Sequence, residues 1–319
     1  MKIILKIIYN FICKIIIKLL PLLRILRLQT FVIDRLSEIR LGSNKYGNIQ
    51  KVISELPLKR KLIALDVGAQ GGFNMERSAA GLVFLKKYEK FFNPIMVEPI
   101  PSEVEKLKKK YTVIEKGLWS TNCIKKLYIT GKNPGGTSMY KPWKEGFDLY
   151  NPYDNYFRLY DITDEIDVEC TTIKDSLDNL NIKELDYLKI DTQGAEYEIL
   201  KGVGNYFPLL MKIEVQIFTI YKDMPNWTEM LNYIYKLDYM LCSWEKIGAH
   251  MTQSPVEMDM FFVPNFLTEK GKKLILSREN EFAFLMLIFG QVRLLQTISK
   301  KLEFKLNSNI SKIRDKFFD

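Results

Sequence analysis

The chain has 319 residues, 47% hydrophobic and 27% charged, which is the make-up of a folded globular protein with one large domain and extensions, or two small domains. Its net charge of +9 is segregated: residues 1–61 carry 13 Lys/Arg against 3 Asp/Glu, residues 62–265 carry 23 against 29, and residues 266–319 carry 11 against 6. An acidic centre between basic ends is not the basic reading face of a nucleic-acid binder, and four scattered cysteines with one histidine exclude a CxxC zinc site and a disulfide framework.

Met1 to Leu28 is apolar but punctuated by Lys2, Lys6, Lys14 and Lys18, which fall on one slowly drifting stripe of a helix. Its longest charge-free stretch here, Ile7 to Cys13, is far short of the ~18–20 residues that span a bilayer, and Pro21 breaks the segment. The pattern predicts an in-plane amphipathic helix on an anionic membrane surface. Packing against the domain or a second subunit is the alternative. Residues 1–58 are read as a basic helical extension, with a linker over Gly42–Pro57.

Leu62-Ile63-Ala64-Leu65 then runs into Asp66 and a turn bearing Gly68, Gly71 and Gly72, and apolar residues follow at helical spacing to about Phe91. This predicts strand, tight turn and helix (Asn74–Phe91), the opening unit of a nucleotide-binding sheet. The turn has no lysine for a phosphate, and Gln70 stands where GxGxxG needs its second glycine. A carboxylate at the mouth repels pyrophosphate and attracts an ammonium or sulfonium, which suits S-adenosylmethionine. A tight turn that holds no ligand is the alternative. A second strand, Pro94–Val97, ends at Glu98, placed to accept hydrogen bonds from two ribose hydroxyls.

Ser102–Lys110 reads as an exposed helix capped by Ser102. Tyr111–Trp119 reads as the third strand and its exit, with Glu115 and Gly117 beside the expected adenine. Lys125–Thr130 is a short strand. Lys132–Asp164 is an aromatic-rich loop with Gly135, Gly136, Thr137 and Ser138: a lid or sugar-binding loop, or else a satellite apolar cluster. Val168–Ile173 and Tyr187–Ile190 are strands, the latter ending at Asp191, with a short helix between them. Met211–Ile217 is a strand containing Glu214, Trp227–Leu237 a helix, and Tyr239–Ile247 with Asp259–Val263 a final hairpin carrying His250 in its connection. The 266–319 tail is read as a basic helical extension. Its apolar run Phe282–Val292 is expected to pair with the N-terminal helix or touch a membrane, and Ile310–Asp319 to fray.

Together, Asp66-Val67-Gly68-Ala69-Gln70-Gly71-Gly72, Glu98-Pro99, Gly136-Thr137-Ser138, Thr171-Thr172-Ile173 and above all Lys189-Ile190-Asp191-Thr192-Gln193-Gly194-Ala195-Glu196 resemble the FkbM family of S-adenosylmethionine-dependent methyltransferases over about residues 60–265. One departure is Gln70, where Asn is more usual. The resemblance implies a Rossmann-like α/β fold with a seven-stranded, mostly parallel sheet. It also implies O-methyl transfer to a sugar, glycan or secondary-metabolite hydroxyl. It maps Asp66, Gly68, Gly71 and Glu98 to the cofactor, and Asp191 to the reacting end of the fourth strand.

A sugar hydroxyl is a poor nucleophile, so a base is expected, with Asp191 first and Glu214 and His250 behind it. No carboxylate cluster argues for a metal. The expectation is therefore an O-methyltransferase of residues 59–265, cytoplasmic and peripheral to the membrane, acting on a glycan or its lipid-linked precursor. A nicotinamide-dependent oxidoreductase and a non-catalytic scaffold on the same sheet are the rivals.

Overall fold

The computed structural model describes residues 46–73, 88–150, 157–247 and 257–315. The N-terminal helix, most of the helix expected at Asn74–Phe91, and His250 lie outside them. In chain order the elements are β1 (Tyr46–Gly47), α1 (Ile49–Glu55), β2 (Leu62–Val67), β3 (Phe92–Val97), α2 (Pro101–Leu107), β4 (Thr112–Ile114), β5 (Gly117–Leu118), β6 (Cys123–Thr130), α3 (Lys144–Tyr150), β7 (Ile162–Thr171), α4 (Ile173–Asn179), β8 (Tyr187–Ile190) and α5 (Glu196–Lys201). They continue with β9 (Leu210–Gln216), α6 (Trp227–Lys236), β10 (Tyr239–Ile247), β11 (Glu257–Pro264), α7 (Glu269–Ser277), α8 (Glu279–Ile288), α9 (Val292–Lys301), α10 (Asn307–Ile310) and β12 (Arg314–Asp315).

Seven strands form one sheet in the order β10-β11-β9-β8-β2-β3-β4. All neighbours from β9 to β4 are parallel, and β11 runs antiparallel to both β9 and β10. The chain therefore starts near the sheet's middle and builds outward on both sides of β2. That reversal opens a crevice at the C-terminal ends of β2 and β8. The buried strands read as near-continuous apolar runs because both faces are covered. One face carries Leu65, Val67, Leu188, Ile190, Ile213 and Val215 in a common cluster with Ile173 and Leu177 of α4, Ile199 and Leu200 of α5, and Met230 and Ile234 of α6.

The other face is covered by the C-terminal tail. Every residue from Phe282 to Phe289 is buried, against Leu62, Ala64, Phe92, Tyr187 and Leu210. Phe284 lies 5.9 Å from Phe92, and Phe289 5.1 Å from Tyr187, ring to ring. A helix apolar all round belongs in a core. The run expected to meet a membrane or the N-terminal helix is thus packed into the same core as the sheet. Arg278 fixes its start, donating to Leu185 O (2.9 Å), Phe207 O (2.9 Å) and Asp186 Oδ1 (3.1 Å).

Several boundaries differ from expectation. The linker contains α1, whose Ile49, Val52 and Ile53 are buried. The last segment is tied rather than frayed as far as Asp315: Ile310 and Ile313 are buried, and β12 pairs with β1. Ser102 does not cap α2; Pro101 opens that helix with Ile100 as its cap residue. The chain leaves the main sheet after Ile114, and β5 joins a separate three-stranded sheet in the order β5-β7-β6. Within the aromatic stretch, Phe147 and Tyr160 (4.4 Å between rings) pack with Ile220 and Tyr221, so its described part forms the satellite cluster.

Candidate active site

The first turn is built by left-handed glycines at the end of β2: Gly68 (φ 80°), Gly71 (φ 86°) and Gly72 (φ 97°). They serve different ends. A Cβ on Gly68 would stand 1.9 Å from the Asp191 carbonyl oxygen, so only glycine lets β2 and β8 end side by side there. Among the described residues, a Cβ on Gly71 would meet nothing within 4 Å, so none of them closes that side of the turn.

Behind the turn, polar residues break the apolar strands at alternating positions and so share one face. Asp66, Lys189 and Lys212 stand in register across β2, β8 and β9, and Glu214 opposes Asp259 one step further along. Lys189 Nζ lies 3.0 Å from Asp66 Oδ1 and 3.5 Å from Asp191 Oδ2. Lys212 Nζ lies 2.7 Å from Asp259. Asp66 therefore sits within the strand, buried and already paired, rather than at the mouth of the turn. Burial raises its carboxyl above the ordinary range against the pull of Lys189. Burial also lowers the Lys189 ammonium, but Asp66 and Asp191 outweigh it and hold the charge on.

Asp191 ends β8 with its side chain 34% exposed. Burial pushes its carboxyl up, but Lys189 and then Lys212 pull harder, and it settles below the ordinary carboxylate range. Glu214 goes the other way: burial first, then the charge of Asp191, holds it well above that range. Gln193 joins the two carboxyl groups, its Nε2 donating to both. Gln193 is held at φ 58°, an uncommon conformation for a non-glycine residue. Its carbonyl accepts from Ser138 Oγ (2.6 Å), and its Oε1 from the Tyr221 hydroxyl (3.0 Å). Glu196 is buried too, and its carboxylate accepts from Gly194 N, Thr192 N and Thr192 Oγ1, which closes the turn that carries Gln193.

Across the turn, Glu98 ends β3. It is 5% exposed, and its Oε1 accepts from Ile100 N (2.9 Å). Burial is the main cause that lifts its carboxyl to about 7.

The family model of the methyltransferase FkbM domain matches residues 66–241, more than half of the chain. The chain belongs to the FkbM methyltransferase family. A solved precorrin-6y C5,15-methyltransferase from Geobacter metallireducens is similar at 14% identity over 67% of this chain and 86% of that one, with a TM-score of 0.29, a likeness too loose to carry weight. No curated protein resembles the chain closely enough to count as a match.

S-adenosylmethionine is the methyl donor that the FkbM domain implies. The residues fit it. Among the described residues nothing stands within 4 Å of a Cβ at Gly71, and Glu98 Oε2 has no partner, which is compatible with a ligand close to the turn and a hydroxyl donor on that carboxyl group. This FkbM methyltransferase does not bring every expected residue to that place. Glu115 is exposed and paired with Lys108 (2.8 Å). Gly117 lies in the small sheet, where a Cβ would collide with Met139 (2.4 Å) and Cys170 (2.8 Å), so its glycine serves packing. Thr172 caps α4 by accepting from Asp175 N. The sequence reading missed Lys189 and Gln193 as site residues. The signal was there: Lys189, Lys212, Glu214 and Gln216 are polar residues inside buried strands, which carry that burden only where they are paired.

Proposed function

We propose that the protein transfers the methyl group of S-adenosylmethionine to a hydroxyl oxygen of a sugar or glycan. The observation that carries this is Asp191: a carboxyl group partly open to solvent, set against the first turn and oriented by Lys189 and Gln193. When bound, the donor supplies an electrophilic methyl and leaves as a neutral thioether. Asp191 then does three things: it accepts a hydrogen bond from the acceptor hydroxyl, aligns its lone pair, and takes the proton as the new C–O bond forms. Lys189 and Gln193 keep Asp191 in place.

Methyl-labelled donor incubated with carbohydrate fractions of a cell envelope tests this. Label is expected in carbohydrate with the wild type, and at least about a hundredfold less with Asp191→Asn. Label in protein or nucleic acid instead, or an unaffected Asp191→Asn, overturns it.

The acceptor's setting is a further part of this reading. The basic apolar pattern of residues 1–28 supports docking on an anionic membrane surface that bears a lipid-linked acceptor. Among the described residues no helix is long and apolar enough to cross a membrane. Flotation with anionic liposomes of the full chain and of a chain starting at Ser43 checks the docking: equal flotation of the two sinks it.

A further inference from the structure

The small sheet carries a pair of side chains that no spacing in the sequence reveals. Cys123 opens β6, Cys170 lies near the end of β7, and the antiparallel register sets the two directly opposite each other. Opposed residues in such a ladder hold their Cα atoms about 4.5–5.5 Å apart and point their side chains to the same face, inside the about 4.4–6.8 Å reach of a disulfide. On its other flank Cys170 stands beside Gly117 of β5, which has no side chain. Cys123 is therefore the cross-strand neighbour whose side chain faces the Cys170 sulfur.

Both are free thiols, Cys123 half-buried and Cys170 buried. The Cys170 thiol has only weak partners, Met139 Sδ at 3.9 Å and Val168 O at 3.7 Å, so little holds it in its present rotamer. Burial first, then the neighbouring Cys123, pushes that thiol up to about 12. The more open Cys123 is thus the one that reacts first with a reagent from solvent. The stretch of chain between the two cysteines reaches the candidate site. It carries Gly136, whose carbonyl accepts from the Tyr221 hydroxyl, and Ser138, which donates to the Gln193 carbonyl. Met139, the next residue, lies against Cys170.

We propose that Cys123 and Cys170 are a redox-active pair, which a low-molecular-weight disulfide of the glutathione class converts into a reversible cross-strand disulfide that staples the base of this stretch. The Cys123 thiolate attacks one sulfur of the small disulfide. A new S–S bond forms, the old one breaks, and one small thiolate leaves and takes up a proton. The Cys170 thiolate then attacks Cys123 Sγ, and the second small thiolate leaves in the same way. In balance, two protein thiols are oxidised to one disulfide and one small disulfide is reduced to two thiols. This is a single reversible bond and not a folding framework: the pair rests as thiols where small thiols dominate and closes where small disulfides do. Closing it restrains the segment whose Ser138 holds the Gln193 carbonyl.

Equilibrating the full-length protein with mixtures of reduced and oxidised glutathione, followed by peptide mass mapping without reductant, tests the pair. A peptide linked through Cys123 and Cys170 is expected to grow as the oxidised fraction rises and to vanish on return to reduced glutathione. Cys170→Ala should hold a glutathione adduct on Cys123, and Cys123→Ser should give no linked peptide. The oxidised wild type should melt about 4 °C or more above the reduced form, and Cys123→Ser should show no such rise. Melting of both variants in reductant checks their folding, and Cys123→Ser, at the half-buried position, carries the comparison if Cys170→Ala is unstable. No linked peptide at any ratio, or glutathione left standing on wild-type Cys123, overturns the proposal. A linked peptide with an unchanged or lower melting temperature overturns the staple. Neither readout involves a methyl donor or acceptor, so the result stands apart from the proposed reaction.

Discussion

Gly68 packs so closely on Asp191 that a Cβ would stand 1.9 Å from the Asp191 carbonyl oxygen. The two residues are far apart in the chain, yet Asp191 N donates to Val67 O (3.0 Å), so the first turn and the KIDTQGAE turn form one unit. Gly68→Ala cannot be absorbed by a side-chain shift, because the obstacle is backbone. It should unfold the protein, or lower its melting temperature by more than about 10 °C, since the clash adds to roughly 1–2 kcal/mol of left-handed strain. Gly71→Ala carries the strain without a clash and should keep the fold, at a loss of about 1–2 kcal/mol, while weakening S-adenosylhomocysteine binding. Thermal melts with calorimetric titration separate the two; equal melting points would refute the distinction.

Lys189 neutralises two carboxylates at once. Lys189→Met leaves Asp66 buried without its ion-pair partner, and breaking a buried pair in this way costs about 3–5 kcal/mol. Adding Asp66→Asn removes the stranded charge and should recover part of that loss. Urea unfolding of the two single variants and the double variant reads the coupling. Strictly additive losses would mean that the two side chains are not coupled energetically, despite their contact.

The architecture was legible because its signals are local and periodic. LIALDV and YLKI are bounded by glycine turns, so β2 and β8 could be placed, and Glu98 and Asp191 with them. What was not legible depends on contacts distant in sequence. Gly117 looks like a turn glycine until Cys170 and Met139 are set against it. Phe282–Phe289 has no polar face, so its sequence cannot say whether lipid or sheet covers it; Phe92, Tyr187 and Leu210 supply the cover. Gln193 stands out only once Asp191, Glu214 and Ser138 converge on it.

Glu98 predicts a pH dependence with a definite sign. Burial raises its carboxyl from 4.5 to about 7 in the folded protein. The folded state therefore holds a proton that the unfolded chain has lost between about pH 4.5 and 7, and the folded protein loses stability across that window as pH rises. Glu98→Gln removes the titration. It should match the wild type in stability below pH 4.5 and exceed it by up to roughly 3 kcal/mol above pH 7. Ribose hydroxyls donate best to the ionised form, so S-adenosylhomocysteine affinity of the wild type should weaken as pH falls below 7, approaching about tenfold per unit. Calorimetric titration from pH 5.5 to 8 reads this, and a flat wild-type profile rules out Glu98 as the ribose carboxylate.

The tail is the last test, because it decides what the smallest working unit is. Removing residues 266–319 strips Phe282 to Ile288 from one face of the sheet. Six large buried side chains at about 1.5–3 kcal/mol each, roughly 9–18 kcal/mol together, match the roughly 5–15 kcal/mol that holds a typical domain folded. A chain ending at Asn265 should therefore aggregate or lack cooperative melting. Arg278→Met probes the same junction more gently. It removes the Asp186 pair and two carbonyl contacts while Arg60 and Ile63 N remain on Asp186. The loss should lie toward the lower end of about 3–5 kcal/mol for a broken buried pair. S-adenosylhomocysteine should still bind at low temperature, since the junction lies at the opposite end of β8 from Asp191. A well-folded 1–265 chain that binds the ligand normally would show that the tail is an appendage after all.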